Sequence, residues 1–317
     1  MTYRPGRASI TFLFIFAVSA AMVGASISAA AQAKKDQSTS TSKWEWTDDD
    51  WRMRVAVNGK AEFTEDYSDV RSVSEGGFVR IEEERGGETR RIEIRRDADG
   101  QVVRSYSVNG ESRALDSKGR EWMANILLKA LRHGSIDVDP RVRQLLRQGG
   151  VTRVLQEMEQ VKGDYAKRVY FTSLVKNEGL SASDRQRVLA EVGRQITSDY
   201  ERAGFLKKTA PIFLNSESSA AYFQNVDTIR SDYERRGVLS SLLKQKDLSE
   251  KLLGLVLDSA SRLGSDYEKA TLLIQASNLY TGDTLLRSAF LRAIETIKSD
   301  HERGRVLSAL LKNKQII

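Results

Sequence analysis

The sequence predicts an α+β protein: an N-terminal antiparallel β-meander with a covering helix, followed by an α-solenoid of two-helix repeats of about 34 residues. Three observations carry that prediction. Apolar and polar residues alternate between Trp51 and Val108, the pattern turns helical after Asp139-Pro140, and near-copies of one tetrapeptide recur from Asp164 to Asp300. Period two suits a sheet with one covered face, and a fixed repeat length in a helical region marks stacked units sharing a core.

The first 33 residues stand apart. Arg4 and Arg7 precede an apolar run from Ile10 to about Val23, and Ala31-Gln32-Ala33 supplies the small-residue pattern of a cleavage site. Residues 1–33 therefore read as a signal peptide, and a periplasmic or secreted location in a bacterial envelope is expected. Membrane attachment is expected only if that segment stays uncleaved, since no later apolar run approaches the ~20 residues that span a bilayer. The chain contains no cysteine, which excludes disulfides, thiolate metal ligands and a thiol nucleophile. The net charge of +7 falls to +5 once Arg4 and Arg7 are set aside. That surplus is scattered, so no nucleic-acid partner is expected.

Residues 34–43, KKDQSTSTSK, lack aliphatic side chains and read as a flexible linker. A β domain is expected over 44–135. Trp51, Met53, Val55 and Val57 alternate with Arg52, Arg54 and Ala56. Asn58-Gly59, Gly86-Gly87, Asp99-Gly100 and Asn109-Gly110 fall between the runs, where tight hairpins need positive φ. Five to seven strands follow. Arg80, Glu82 and Glu84 against Arg91, Glu93 and Arg95 make one face charged. The other face needs a cover, supplied by a helix from about Arg120 to Arg132 with Trp122, Met123, Ile126, Leu127, Ala130 and Leu131 along one stripe.

The solenoid is expected over 136–317. Asp139-Pro140 reads as a cap and first helical residue, and Gly149-Gly150 stops that helix. Thereafter Asp164, Asp199, Asp232, Asp266 and Asp300 are spaced by 35, 33, 34 and 34 residues, heading GDYA, SDYE, SDYE, SDYE and SDHE. Each unit holds one helix starting there and another starting at GLSASD, LNSESS, KDLSEK or YTGDTL. Ser followed three residues later by Glu is a capping box, in which hydroxyl and carboxylate each accept a backbone N–H. Ser198 with Glu201, Ser231 with Glu234, Ser265 with Glu268 and Ser299 with Glu302 have that spacing. The intervening Asp complements the helix dipole, and Tyr165, Tyr200, Tyr233 and Tyr267, with His301, are expected as wedges between units. Capping and packing account for the motif better than five parallel active sites along a rod.

Lys167, Arg202, Arg235, Lys269 and Arg303 share one repeat position and should stack into a column. Two readings are open. Each cation pairs with the Asp three residues earlier, as Asp199 with Arg202, or the column is a basic strip that contacts an acidic partner.

Signatures of chemistry are sparse. Only His133 and His301 occur, without HExxH, GxSxG, GxGxxG or a P-loop, and Ser40, Ser173 and Ser241 open S-x-x-K matches with no K-T-G. The stretch WEWTDDDW at Trp44 has the residue types of a carbohydrate platform or a calcium site. Three adjacent carboxylates diverge on an extended chain, however, and the stretch reads better as a solvated strand entrance. No catalytic residue, metal or cofactor is assigned.

The stretch from about Gly76 to Asp116, GGFVRIEEERGGETRRIEI through SYSVNGESRALD, followed by SDYE-type repeats, resembles the extracytoplasmic tail of bacterial membrane metallopeptidases of the β-lactam-sensor, antirepressor kind. It is also similar to exported proteins that carry that tail alone. The likeness covers about three quarters of the 317 residues, and the peptidase half has no counterpart here. It implies an envelope sensing or protein-contact module and carries over no catalytic residue. The expected function is thus a non-enzymatic exported module that binds a protein or peptide along the repeats. The alternatives are a small-molecule or glycan sensor using the β domain and its tryptophans, and an envelope enzyme of unrecognised type.

Overall fold

The computed structural model describes residues 41–317 apart from 178, 215–216, 247, 280–283 and 314–317. The expected signal peptide and most of the linker lie outside the described residues. The class is α+β, and the chain divides into two compact units between Leu131 and Arg132.

In the first unit, strands β1 (Ser42–Asp48), β2 (Trp51–Asn58), β5 (Phe78–Arg85), β6 (Glu88–Arg96), β7 (Val102–Val108) and β8 (Glu111–Arg113) form an antiparallel sheet in the order β1-β2-β5-β6-β7-β8. A separate hairpin, β3 (Ala61–Phe63) and β4 (Val70–Val73), is inserted between β2 and β5. Register places Val55 opposite Ile81 and Ile81 opposite Ile92, so the alternation stacks these side chains on one buried face. On the other face Arg54 meets Glu82 at 2.6 Å and Arg80 meets Glu93 at 2.7 Å. The β7–β8 turn takes positive φ at Asn109 and Gly110, as a two-residue loop matched to strand twist requires.

The cover is α1 (Ser117–His133), capped by the Asp116 carboxylate on the Gly119 N–H at 2.8 Å and burying Met123, Ile126, Leu127, Ala130 and Leu131. One polar side chain among these apolar contacts joins helix to sheet. Glu83 on β5 accepts from the indole N–H of Trp51 and of Trp122, each at 2.7 Å, and from Lys129 at 3.4 Å. The Lys129 ammonium lies 3.7 Å from the centre of the Trp51 ring. Burial pushes the Glu83 carboxyl up, but the two indole donors and Lys129 outweigh it and hold it below the usual carboxylate range.

In the second unit α2 (Val138–Met158) starts one residue before the expected cap: Asp137 occupies the N-cap position in left-handed geometry, and Asp139 lies in the first turn. The Asp139 carboxylate accepts from Ser173 instead, at 2.5 Å. Gly149 and Gly150 leave helical geometry and break α2 into two pieces, with Gly150 at φ +63°. The repeats follow. Their first helices are α3 (Asp164–Lys176), α5 (Asp199–Leu214), α7 (Asp232–Leu243), α9 (Asp266–Ser277) and α11 (Asp300–Lys312). Their second helices are α4 (Ala182–Gln195), α6 (Ser219–Asp227), α8 (Glu250–Ser261) and α10 (Thr284–Glu295). First helices pack on first helices and second on second, around one continuous core from Val138 to Leu310. This is the two-layer construction of a helical-repeat solenoid. Among the described residues no helix is long and apolar enough to cross a membrane.

Candidate functional site

The repeat motif opens a first helix every time, and its four residues have separate jobs. The Ser hydroxyl accepts the N–H three residues on: Glu201 to Ser198 at 3.4 Å, and Glu234 to Ser231, Glu268 to Ser265 and Glu302 to Ser299 at 3.3 Å. The reciprocal half of the capping box is replaced. The Ser N–H donates not to the Glu but to the Asp of the preceding repeat: Ser198 to Asp164 at 2.5 Å, Ser231 to Asp199 at 2.9 Å, Ser265 to Asp232 at 2.7 Å and Ser299 to Asp266 at 2.8 Å. Thr197, Gly264 and Lys298 add a second N–H to Asp164, Asp232 and Asp266. The Asp is therefore a clamp between successive units, worth about 1–3 kcal/mol where its loss strands buried amides.

Released from capping, the Glu carboxylates reach cations. Glu201 pairs with Arg168 at 2.5 Å, Glu234 with Lys207 at 3.6 Å and Glu268 with Arg236, each from the preceding repeat, while Glu302 takes Arg305 of its own helix at 2.6 Å. Gly204 gives Arg168 its passage, since a Cβ there would come within 3.1 Å of the arginine chain.

Three members of the cation column lie inside the stack and two, Lys167 and Arg303, are half-buried, which goes against the second of the two readings, an accessible strip. Arg202, Arg235 and Lys269 are buried, at 8, 5 and 3% exposure. Arg202 donates to the carbonyl of Ile196 at 2.5 Å and to the Thr228 hydroxyl at 2.9 Å, and Lys269 to the Thr296 carbonyl at 3.0 Å. Arg235 bonds Asp227 at 2.6 Å and the carbonyls of Ser259 and Arg262 at 3.2 Å. Lys167 reaches the Gln195 carbonyl at 3.3 Å, and Arg303 reaches Ile297 at 2.8 Å. These carbonyls end the second helices, where four C=O groups lack helical partners and the dipole is negative. The expected i,i+3 Asp–cation pair occurs in the last unit, Asp300 with Arg303 at 3.7 Å.

The tyrosines are the counterpart correction. Tyr200, Tyr233 and Tyr267 are 67, 63 and 58% exposed and wedge nothing. Tyrosine and cation are two residues apart, hence about 200° apart around a helix, so only one can face the core. Unsatisfied carbonyls inside the stack decide for the cation. The result is an aromatic row on one edge of the solenoid, with Tyr165 half-buried ahead of it and His301 exposed after it. Guanidinium groups sit on these rings: Arg168 lies 5.1 Å from the Tyr165 centroid, Arg236 5.3 Å from Tyr233 and Arg305 5.6 Å from Tyr267.

Burial lowers the affinity of Arg202 and Lys269 for their protons; Arg230 adds to this at Arg202 and Lys298 at Lys269, while Asp199 and Asp266 oppose it. Arg230 and Lys298 are exposed, as is Lys162 at the corresponding place before α3. Sequence reasoning missed these three because they precede the motif rather than belong to it.

Elsewhere Trp44 and Trp46 on β1 are half-buried, and Asp48, Asp49 and Asp50 lie exposed at the β1–β2 turn. Among the described residues no cluster of His, Asp or Glu has the arrangement of a metal site. No family model matches the chain, and neither the search of curated proteins nor that of solved structures found a match.

Proposed function

We propose that the protein is an exported, non-catalytic interaction module of the bacterial envelope that binds a protein or peptide through the tyrosine edge of its solenoid. One observation carries this reading: three tyrosines at one repeat position stand 58–67% exposed in a row, with most of each ring left to solvent. Aromatic side chains with cations alongside are the composition of interface hot spots. The motif's carboxylates and buried cations are engaged in holding the stack together, which argues against a catalytic use of them. Sensing of a glycan by the tryptophans has less support, because the Trp51 indole N–H is already committed to Glu83.

The test is a triple substitution, Tyr200→Ser, Tyr233→Ser and Tyr267→Ser. The variant is expected to keep the wild-type melting curve and to lose the partner recovered from envelope extracts by the tagged wild-type protein. Full retention of that partner by a folded triple variant rejects the assignment.

A further inference from the structure

The tyrosine edge has a rhythm set by helix packing. Tyr200, Tyr233 and Tyr267 share one position on α5, α7 and α9, and each of these helices has a first helix packed on either side, with α3 before α5 and α11 after α9. The exposure of the rings therefore belongs to the interior of the stack and not to its end. Axes of packed helices lie about 8–10 Å apart, so the rings recur at about that interval.

That interval and the chemistry of the edge select the backbone conformation of what lies along it. The edge is made of helix starts, so it has no strand for a partner to extend, and its Ser and Glu N–H groups are spent on Asp carboxylates and Ser hydroxyls. What it offers is flat rings and donors: the hydroxyls of Tyr200, Tyr233 and Tyr267, with Arg230 and Lys298 exposed nearby. A β-strand returns a side chain to one face every second residue, about 6.6–6.8 Å, and falls out of step with the rings. An α-helix returns one after seven residues, about 10.5 Å, and its carbonyls are already bonded. Polyproline II returns one every third residue, after about 9.3 Å, and its carbonyls are free to accept. Proline adds a compact apolar ring and brings no N–H for the edge to satisfy.

Taking the tyrosine edge of the proposed function as the binding surface, we propose that its partner is a proline-rich segment in the polyproline II conformation, with a proline at every third position seated against successive rings. About seven residues then reach from Tyr200 to Tyr267. A preset backbone keeps low the entropy that such a segment loses on binding.

Fluorescence anisotropy of labelled peptides tests this. Dodecaproline is expected to bind the wild-type chain with a Kd below about 1 mM. Tetraproline, too short for three rings, a Gly-Ser repeat of the same length as dodecaproline and a helical Glu-Ala-Ala-Ala-Lys repeat should each bind at least about tenfold more weakly. Tyr233→Ser at the middle ring should weaken dodecaproline binding about tenfold, and the folded triple variant Tyr200→Ser, Tyr233→Ser, Tyr267→Ser should lose it. Dodecaproline should also displace the partner that the tagged wild-type protein recovers from envelope extracts. Failure of dodecaproline to bind at up to about 5 mM, binding that survives the triple substitution, or tighter binding of either repeat peptide overturns the inference. A partner lost from the triple variant but not displaced by dodecaproline overturns it too and leaves the tyrosine edge as the binding surface, whereas a partner retained by that variant removes the edge itself.

Discussion

At the scale of single residues, side chains that look alike in the sequence part company in the structure. Arg235 is a buried donor to a carboxylate and two helix-end carbonyls. Removing one partner of such a buried pair leaves the rest uncompensated. Arg235→Ala is therefore expected to cost about 3–5 kcal/mol in urea unfolding, whereas Tyr233→Ser, at an exposed position, should stay within about 0.5 kcal/mol. The clamp makes a second comparison. Asp232 holds the Gly264 and Ser265 N–H groups, so Asp232→Ala should cost about 1–3 kcal/mol, while Asp300→Ala should cost almost nothing. Equal losses at the two positions would show that the carboxylate acts on its own helix and not on the next repeat.

The sequence revealed the motif's period and its role in opening helices, because spacing and capping chemistry are local. It did not reveal which of Tyr200 and Arg202 faces inward. Both are amphipathic, and the decision rests on carbonyls of Ile196 and Thr228 that reach the arginine only after the helices stack. Nor was the Asp clamp legible, since its two ends are a whole repeat apart.

At the scale of elements, the β unit depends on how α1 is fixed to the sheet. Turn glycines and alternation made the strands readable, the run at Ala61 and Phe63 after Asn58-Gly59 among them, but not that this run pairs with β4 in a separate hairpin instead of joining the sheet. Glu83 was read past as one of three consecutive acids, although it alone of Glu82, Glu83 and Glu84 accepts both indoles. Its folded pKa lies below the unfolded value of about 4.3, so its contribution is complete above that pH and lost as pH falls through the lowered value. Acid titration followed by tryptophan fluorescence should thus show loss of α1 docking below about pH 4, and Glu83→Gln should flatten that part of the curve. An unchanged acid profile in the variant would assign the transition to other carboxylates. Within the repeats Gly254 lies inside α8 with nothing within 4 Å of a Cβ, so Gly254→Ala should raise stability by about 0.5–1 kcal/mol.

At the scale of the whole molecule, the chain has a sheet-and-helix unit and a stack in which three devices tie repeats together, all of them present at the junctions up to α9 and the second absent between α9 and α11. These are an Asp on the following amides, a cation across to the following Glu, and a buried cation on helix-end carbonyls. Such coupling links successive units, and the stack spaces its exposed tyrosines one repeat apart. Under the proposed function, rings at regular spacing suit an extended partner. Fold class and repeat boundaries follow from local patterns, whereas the proposed binding edge rests on what stacking leaves exposed.

The most direct measurement is site-resolved photocrosslinking in intact cells, with a photoreactive phenylalanine analogue placed in turn at Tyr200, Tyr233, Tyr267 and at the exposed Lys251 of α8. One common partner captured from the three tyrosine positions and not from Lys251 is the predicted result. Capture from Lys251 alone, or equally from all four sites, would contradict the claim that the tyrosine edge is where this protein meets its partner.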